Sequence, residues 1–112
     1  MRVKRIYEPV ADDDGQRILV DRIWPRGISR ARAALDAWMP DVAPSNELRK
    51  WFAHDPLRWE EFQSRYRAEL ANSPHVDELA ALGAAAPLTL LYSARDTEHN
   101  QAVALASILD HR

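Results

Sequence analysis

Two short apolar runs stand out in a chain that otherwise mixes polar and apolar residues. Ile18-Leu19-Val20 lies within residues 17–24, and Leu88 to Tyr92 follows Pro87. Aliphatic and β-branched runs of this length, bounded by turn residues, predict buried strands. Residues 2–7 predict a further strand near the start of the chain. Because fewer than a dozen residues join it to residues 17–24, we expect these first two strands to be antiparallel neighbours.

Helical spacing of apolar residues is typical of most of the chain between residues 30 and 82. The pattern predicts a helix over residues 30–39, which Pro40 ends. Ser45 is the predicted N-cap of a short helix from Asn46 to Ala53. Asp55-Pro56 predicts the start of a longer helix. The apolar stripe of that longer helix comprises Trp59, Phe62, Tyr66 and Leu70. The last helix of this region is predicted over Val76–Leu82, with Gly83 as its cap.

The order of these elements predicts an α/β fold. We expect a small single-domain sandwich over residues 1–112, with a short, mostly parallel sheet and helices packed on it. A long helical excursion joins the strand at 17–24 to the strand at 88–92, so these two are predicted to be parallel with a right-handed crossover. Their carboxyl ends then meet at one edge, where open α/β sheets bind ligands.

Charged residues lie where these two strands end, and this edge is the predicted site. Pro25 and Gly27 direct the chain out of the sheet, and charges at the end of a buried strand are costly unless they pair or meet a ligand. A final helix, capped by Asp96 or Thr97 and running to about Leu109, begins at the same edge, and its free N–H groups favour an anion. The candidate ligand-binding residues are Asp21, Arg22, Trp24, Arg26, Ser93, Arg95, Asp96 and His99. Their pattern predicts a cradle for a phosphate- or carboxylate-bearing ligand, with the arginines as anion donors and Trp24 as a wall.

Three other interpretations of this chain stay open. Asp21 or Asp96 could neutralise Arg22 or Arg95 in a buried ion pair that only fixes the two loops. Alternatively, Asp21, Asp96 or His99 could be the acid–base group of a hydrolase or transferase. In the third interpretation the tryptophan-rich middle of the chain is a protein-interaction surface, and the arginine cluster is purely structural.

Composition narrows the range of partners and reactions that this chain could have. The net charge of −2 does not favour nucleic acid as a partner, although the arginine-rich first third keeps it open. The chain has no cysteine, which excludes disulfides and thiol nucleophiles. Neither a metal-binding spacing nor a glycine-rich phosphate loop is present, so we expect no metal and no cofactor. Without a bilayer-spanning segment or a signal peptide, the chain is expected to be cytoplasmic with no membrane partner. The oligomeric state stays open.

Five segments together resemble a known family. They are Val3-Lys4-Arg5-Ile6-Tyr7, Leu19-Val20-Asp21-Arg22-Ile23-Trp24-Pro25-Arg26-Gly27, Ala43-Pro44-Ser45 with Leu48-Arg49-Lys50-Trp51-Phe52, His54-Asp55-Pro56, and Leu90-Leu91-Tyr92-Ser93-Ala94-Arg95-Asp96 followed by His99-Asn100. Over nearly its whole length the chain is similar to the YeaO-like branch of the domain-of-unknown-function-488 family. This resemblance implies a small bacterial α/β domain without an assigned reaction.

Longer relatives in that wider family resemble one another through a strand-end Asp-x-Arg and a Cys-His-Arg triplet near the start of the last helix. Aligned by the strand at 88–92, this chain has Asn100, Gln101 and Ala102 at the positions of the Cys-His-Arg triplet. It therefore lacks the thiol and the imidazole, and chemistry through that cysteine does not carry over. The strand-end arginine loop remains matched, which implies binding more than covalent catalysis.

Overall fold

Four parallel strands form a sheet in the order β1-β4-β2-β3. In a computed structural model that describes all 112 residues, these strands are β1 (Arg2–Arg5), β2 (Gln16–Leu19), β3 (Ala37–Trp38) and β4 (Leu88–Tyr92). β4 pairs with both β1 and β2, and every one of its residues is buried. The predicted α/β class and the predicted parallel pairing of the strands around residues 18 and 90 are confirmed.

The prediction that the first two strands are antiparallel neighbours is wrong. β1 and β2 are parallel, and β4 lies between them. The ten residues 6–15 make this crossover without an α-helix, using only the 3-10 turn Asp12–Asp14. Ten extended residues reach up to about 33 Å, whereas a five-residue strand rises only about 17 Å. A connection this short can therefore return to the starting edge.

The predicted extent of the helix over residues 30–39 is also wrong. Helix α1 covers only Arg30–Ala33, because Ala34 has φ +47° and ends it in a left-handed conformation. The chain then extends and forms β3, in which Ala37 is the register partner of Ile18 in β2. Two residues of edge strand therefore replace the end of the predicted helix.

The remaining helices are α2 (Asn46–Phe52), α3 (Trp59–Leu70), α4 (Pro74–Ala85) and α5 (Gln101–Asp110). The predicted caps Ser45 and Asp55 each accept a hydrogen bond from a backbone N–H two or three residues later, and Asp55 begins a 3-10 turn, Pro56–Arg58, that leads into α3. α4 is longer than predicted and continues past Gly83. A Cβ atom on Gly83 would lie 2.7 Å from the Met1 side chain, so this glycine allows close packing rather than ending the helix.

The final helix starts later than predicted. Its N-cap is Asn100, whose side-chain oxygen accepts a hydrogen bond from the Val103 N–H, rather than Asp96 or Thr97. Asp96 instead accepts hydrogen bonds from the N–H groups of Glu98 and His99, and so caps the turn that precedes α5. His99 consequently lies in this turn and not in the first turn of the helix.

The two faces of the sheet differ in chemistry. One face carries the large apolar core, including Ile18 and Leu90, against which the predicted stripe of α3 packs. The other face is apolar only near the carboxyl ends of the strands, around Leu19 and Leu91, and polar at Arg17. None of the helices has both the length and the apolar character needed to cross a bilayer.

Candidate functional site

The carboxyl ends of β1, β2 and β4 lie at one edge of the sheet, where two adjoining cavities open. The larger, which we name the arginine cleft, is an open groove of about 810 Å³ lined by Arg5, Tyr7, Arg26, His54, Ser93, Ala94, Arg95 and Asp96. The smaller, the Asp21 pocket, has about 180 Å³ and is lined by Asp21, Arg22, Ile23, Ala43, Pro44, Arg49, Phe52, His54, Phe62, Ser93, Ala94, Asn100 and Gln101. A separate cavity of about 380 Å³ beside Met1 and Pro87 contains none of the predicted site residues.

Three guanidinium groups give the arginine cleft its positive character. Arg26 and Arg95 are exposed, and neither side chain hydrogen-bonds or pairs with another group of the protein. Arg5 is held in place: it donates to the backbone oxygens of Ala94 at 2.9 Å and Ser93 at 3.2 Å, and its guanidinium lies 4.8 Å from the centre of the Tyr7 ring. Two of the three arginines therefore keep all their donors free for a ligand.

Asp96 is the single carboxylate in the lining of the arginine cleft, and its oxygens are occupied. One oxygen accepts from the N–H groups of Glu98 and His99, and the other lies 2.9 Å from His99 Nδ1. These hydrogen bonds, that from Glu98 first, hold the pKa of Asp96 below its ordinary value. The His99 ring also packs edge-on against Trp59, with 5.3 Å between the ring centres. This local pairing fixes the loop and leaves the arginines as the unsatisfied charges.

The Asp21 carboxylate lies in the wall of the smaller pocket and has no cationic partner. Its Oδ2 atom accepts hydrogen bonds from the Ser93 hydroxyl at 2.6 Å and the Ser93 N–H at 3.1 Å, and its Oδ1 atom accepts from Gln101 at 2.5 Å. Burial raises the pKa of Asp21, although the hydrogen bonds from Ser93 and Gln101 oppose that rise. Asn100 and Gln101 place the start of α5 at this pocket rather than at the arginine cleft.

The ion pairs that would have made the site purely structural do not form. Arg22 lines the Asp21 pocket but donates to the backbone oxygens of Ala43 at 3.0 Å and Pro44 at 3.2 Å, so it holds a loop and is not a free anion donor. Asp21 meets Ser93 and Gln101, and Asp96 meets His99 instead of Arg95.

Trp24 lies outside both cavities. Its indole N–H donates to the Ile28 oxygen at 2.9 Å, and its ring packs edge-on against Trp38 and beneath the guanidinium of Arg30. It stabilises the loop after β2 by this packing. Of the eight predicted residues, the structure brings Arg26, Ser93, Arg95 and Asp96 to the arginine cleft, and Asp21, Arg22 and Ser93 to the Asp21 pocket.

Sequence reasoning missed four residues in the lining of the arginine cleft: Arg5, Tyr7, His54 and Ala94. An antiparallel β1 would have ended at the opposite edge, so Arg5 and Tyr7 could not be assigned to this site. His54 lines both cavities and has φ +55°, directly after Ala53 at φ +49°. Left-handed backbone in non-glycine residues is strained and clusters at functional sites. Nothing in the sequence signals this conformation.

A family model described as the inactive DUF488-N3 subclade matches residues 1–112. The chain belongs to this family, named DUF488-N3i. YeaO of Escherichia coli, an uncharacterized protein, is 46% identical over 110 residues, which cover 97% of this chain and 96% of YeaO. An uncharacterized protein of Mycobacterium tuberculosis H37Rv is 45% identical over 112 residues, covering all of this chain and 95% of that protein. No solved structure matches the chain. The predicted YeaO-like resemblance is confirmed.

The start of α5 holds the positions at which the resemblance implies Cys-His-Arg in longer relatives, and this DUF488-N3i chain has Asn100, Gln101 and Ala102 there. Asn100 caps the helix, Gln101 donates to Asp21, and Ala102 is buried in the core. All three side chains thus have a structural or hydrogen-bonding position, and none is a nucleophile. No three His, Cys, Asp or Glu side chains converge on a point that would hold a metal ion.

Proposed function

We propose that this DUF488-N3i chain binds a small anion, bearing a phosphate or carboxylate group, in the arginine cleft. The observation that carries the proposal is that Arg26 and Arg95 line one groove with no protein acceptor for either guanidinium. Arginine forms charge-assisted, bidentate hydrogen bonds with both kinds of anion. Against three arginines, the lining contributes one carboxylate, Asp96, which His99 already contacts.

Binding without catalysis accounts for the site better than a hydrolase or transferase does. A general base must reach the proton that it removes, and both oxygens of Asp96 are engaged within its own loop. The Ser93 hydroxyl donates to the Asp21 carboxylate and is held in the wall of the pocket by that hydrogen bond. The description of the matching subclade as inactive supports the same conclusion.

Thermal shift measurements with inorganic phosphate, citrate and ribose 5-phosphate test this function. A ligand present at one hundred times its dissociation constant adds about 2.7 kcal/mol, which is roughly 10 °C for a domain of this size. Each charged hydrogen-bonding partner contributes about 1.5–3 kcal/mol, so Arg26→Ala and Arg95→Ala should each weaken binding roughly 10- to 150-fold.

Arg67→Ala is the matched control, because Arg67 is an exposed arginine on α3 that lines neither cavity. It should bind like the unmodified chain. Equal affinities for Arg26→Ala, Arg95→Ala and Arg67→Ala would show that any anion binds elsewhere. If none of the three anions raises the melting temperature, the proposed function is wrong.

A further inference from the structure

The two cavities adjoin, because Ser93, Ala94 and His54 belong to the lining of both. A group seated among the arginines can therefore extend past Ser93 toward Asp21. The Asp21 pocket, at about 180 Å³, is smaller than the ~300 Å³ at which sites for whole drug-sized ligands begin. It is large enough for one ring of a ligand, and the rest of that ligand has to lie in the arginine cleft.

The walls of the Asp21 pocket combine apolar residues with a slightly larger number of polar and charged ones, which suits a ring that carries polar groups. Phe52, Phe62 and Pro44 belong to the apolar part of the wall, and the two phenylalanine rings, which are almost fully buried, stack on each other at 4.3 Å. Asp21 accepts three hydrogen bonds, from Ser93 twice and from Gln101. An ionised carboxylate offers about four acceptor positions, so one remains for a donor on the ligand.

That donor should be neutral rather than cationic. Arg22 and Arg49 also line the Asp21 pocket, and their positive charges oppose an ammonium group there. The Arg22 guanidinium is held at this pocket by hydrogen bonds to the carbonyl oxygens of Ala43 and Pro44. A ring N–H or an exocyclic amine meets both conditions, since it donates to Asp21 without adding charge.

We propose that the ligand is a free nucleotide, whose base occupies the Asp21 pocket with an N–H donor facing the carboxylate and whose phosphate lies among Arg5, Arg26 and Arg95. This inference rests on the proposed function and adds the chemical class of the ligand to it. The nucleobase supplies the flat ring and the neutral donor, the sugar passes Ser93, and no bond is made or broken.

Isothermal titration of the full chain with the four ribonucleoside monophosphates, and with ribose 5-phosphate, separates the two proposals. At least one monophosphate should bind roughly tenfold or more tightly than ribose 5-phosphate, because it adds a hydrogen bond and a buried ring. Asp21→Asn should lose that advantage and keep the affinity for ribose 5-phosphate. Asp110→Asn is the matched control, because Asp110 is exposed at the far end of α5 and should change neither affinity.

Because Asp21 is buried, a second measurement uses the unmodified chain. In ¹H–¹⁵N spectra, the Gln101 side-chain amide should shift with a nucleoside monophosphate and stay in place with ribose 5-phosphate. Monophosphates that bind no more tightly than ribose 5-phosphate, or an unmoved Gln101 signal, would overturn the nucleotide assignment and leave anion binding intact. A short oligonucleotide that binds more tightly than every monophosphate would overturn the assignment to a free nucleotide. Absence of binding by all of these probes would overturn both proposals.

Discussion

The most demanding stability prediction concerns Arg17, a charged residue in the buried strand β2. Only 4% of its surface is exposed. Its guanidinium lies 2.5 Å from the equally buried Asp14 and donates to the backbone oxygens of Ala33 at 2.9 Å and Ala34 at 3.2 Å. Arg17 therefore ties the 3-10 turn before β2 to the carboxyl end of α1.

Arg17→Met keeps a side chain of comparable length and removes the charge and the donors. Removing one partner of a buried ion pair costs about 3–5 kcal/mol, because the other charge stays buried. Asp14 keeps Lys4 at 3.0 Å and the Ala11 N–H, which places the loss near the lower end, about 3 kcal/mol. At roughly 4 °C per kcal/mol for a domain of this size, the melting temperature should fall by roughly 12 °C.

Urea unfolding, with linear extrapolation to water, measures this loss. Arg2→Met is the matched control, because Arg2 pairs with Asp13 at 2.7 Å while both side chains are more than 60% exposed. Solvent screens exposed ion pairs and leaves them with little net stabilisation, so the control should leave the free energy of unfolding nearly unchanged. If Arg17→Met loses no more free energy of unfolding than Arg2→Met, burial does not set the strength of these ion pairs and the reasoning fails.

Two further predictions concern the same folded state. Burial would raise the pKa of Asp14, but hydrogen bonds from Ala11, Lys4 and Arg17 outweigh it and hold the pKa at about 2. A carboxyl with a folded pKa below its unfolded value stabilises the fold above about pH 4 and loses that contribution as pH falls toward 2. The difference in melting temperature between the unmodified chain and Asp14→Asn should therefore narrow from pH 6 to pH 2. A constant difference would contradict this. Tyr66 is fully buried and donates to the Val42 backbone oxygen, so Tyr66→Phe should lose about 1–2 kcal/mol in urea unfolding, and an unchanged midpoint would contradict that hydrogen bond.

The parallel pairing around β4 could be predicted from the sequence because its physical signal is local. Ile18 and Leu90 lie in apolar runs, and the helical segment between them is too long for a hairpin. The crossover between β1 and β2 could not be predicted, since ten residues are compatible with an antiparallel neighbour or with a short return. The pairing of β1 with β4, between residues nearly ninety positions apart, decides which of these two connections the chain adopts.

The candidate site also contains residues whose position the sequence could predict and residues whose role it could not. Arg26 and Arg95 could be placed at one edge because each follows a predicted buried strand. The role of Arg22 could not be predicted, since its acceptors are the carbonyl oxygens of Ala43 and Pro44 in a loop with no charge of its own. Trp24 follows the strand as Arg26 does, but its indole packs against Trp38 on the second face of the sheet. Sequence places a residue at an edge and leaves the direction of its side chain undecided.

The placement of charge in this sheet separates stability from binding. Arg17 and Asp14 lie near the amino ends of the strands and are saturated by partners, whereas Arg26 and Arg95 lie at the carboxyl ends and have none. Arg17→Met should therefore lower the melting temperature and, at a temperature where it is fully folded, bind the anion with unchanged affinity. Arg26→Ala should do the reverse, because an exposed arginine without a partner contributes little to folding. Parallel measurement of melting temperature and anion affinity on both variants checks this. An Arg26→Ala chain that loses several degrees would mean that Arg26 holds the fold, and the cleft would then lack one of its two free cations.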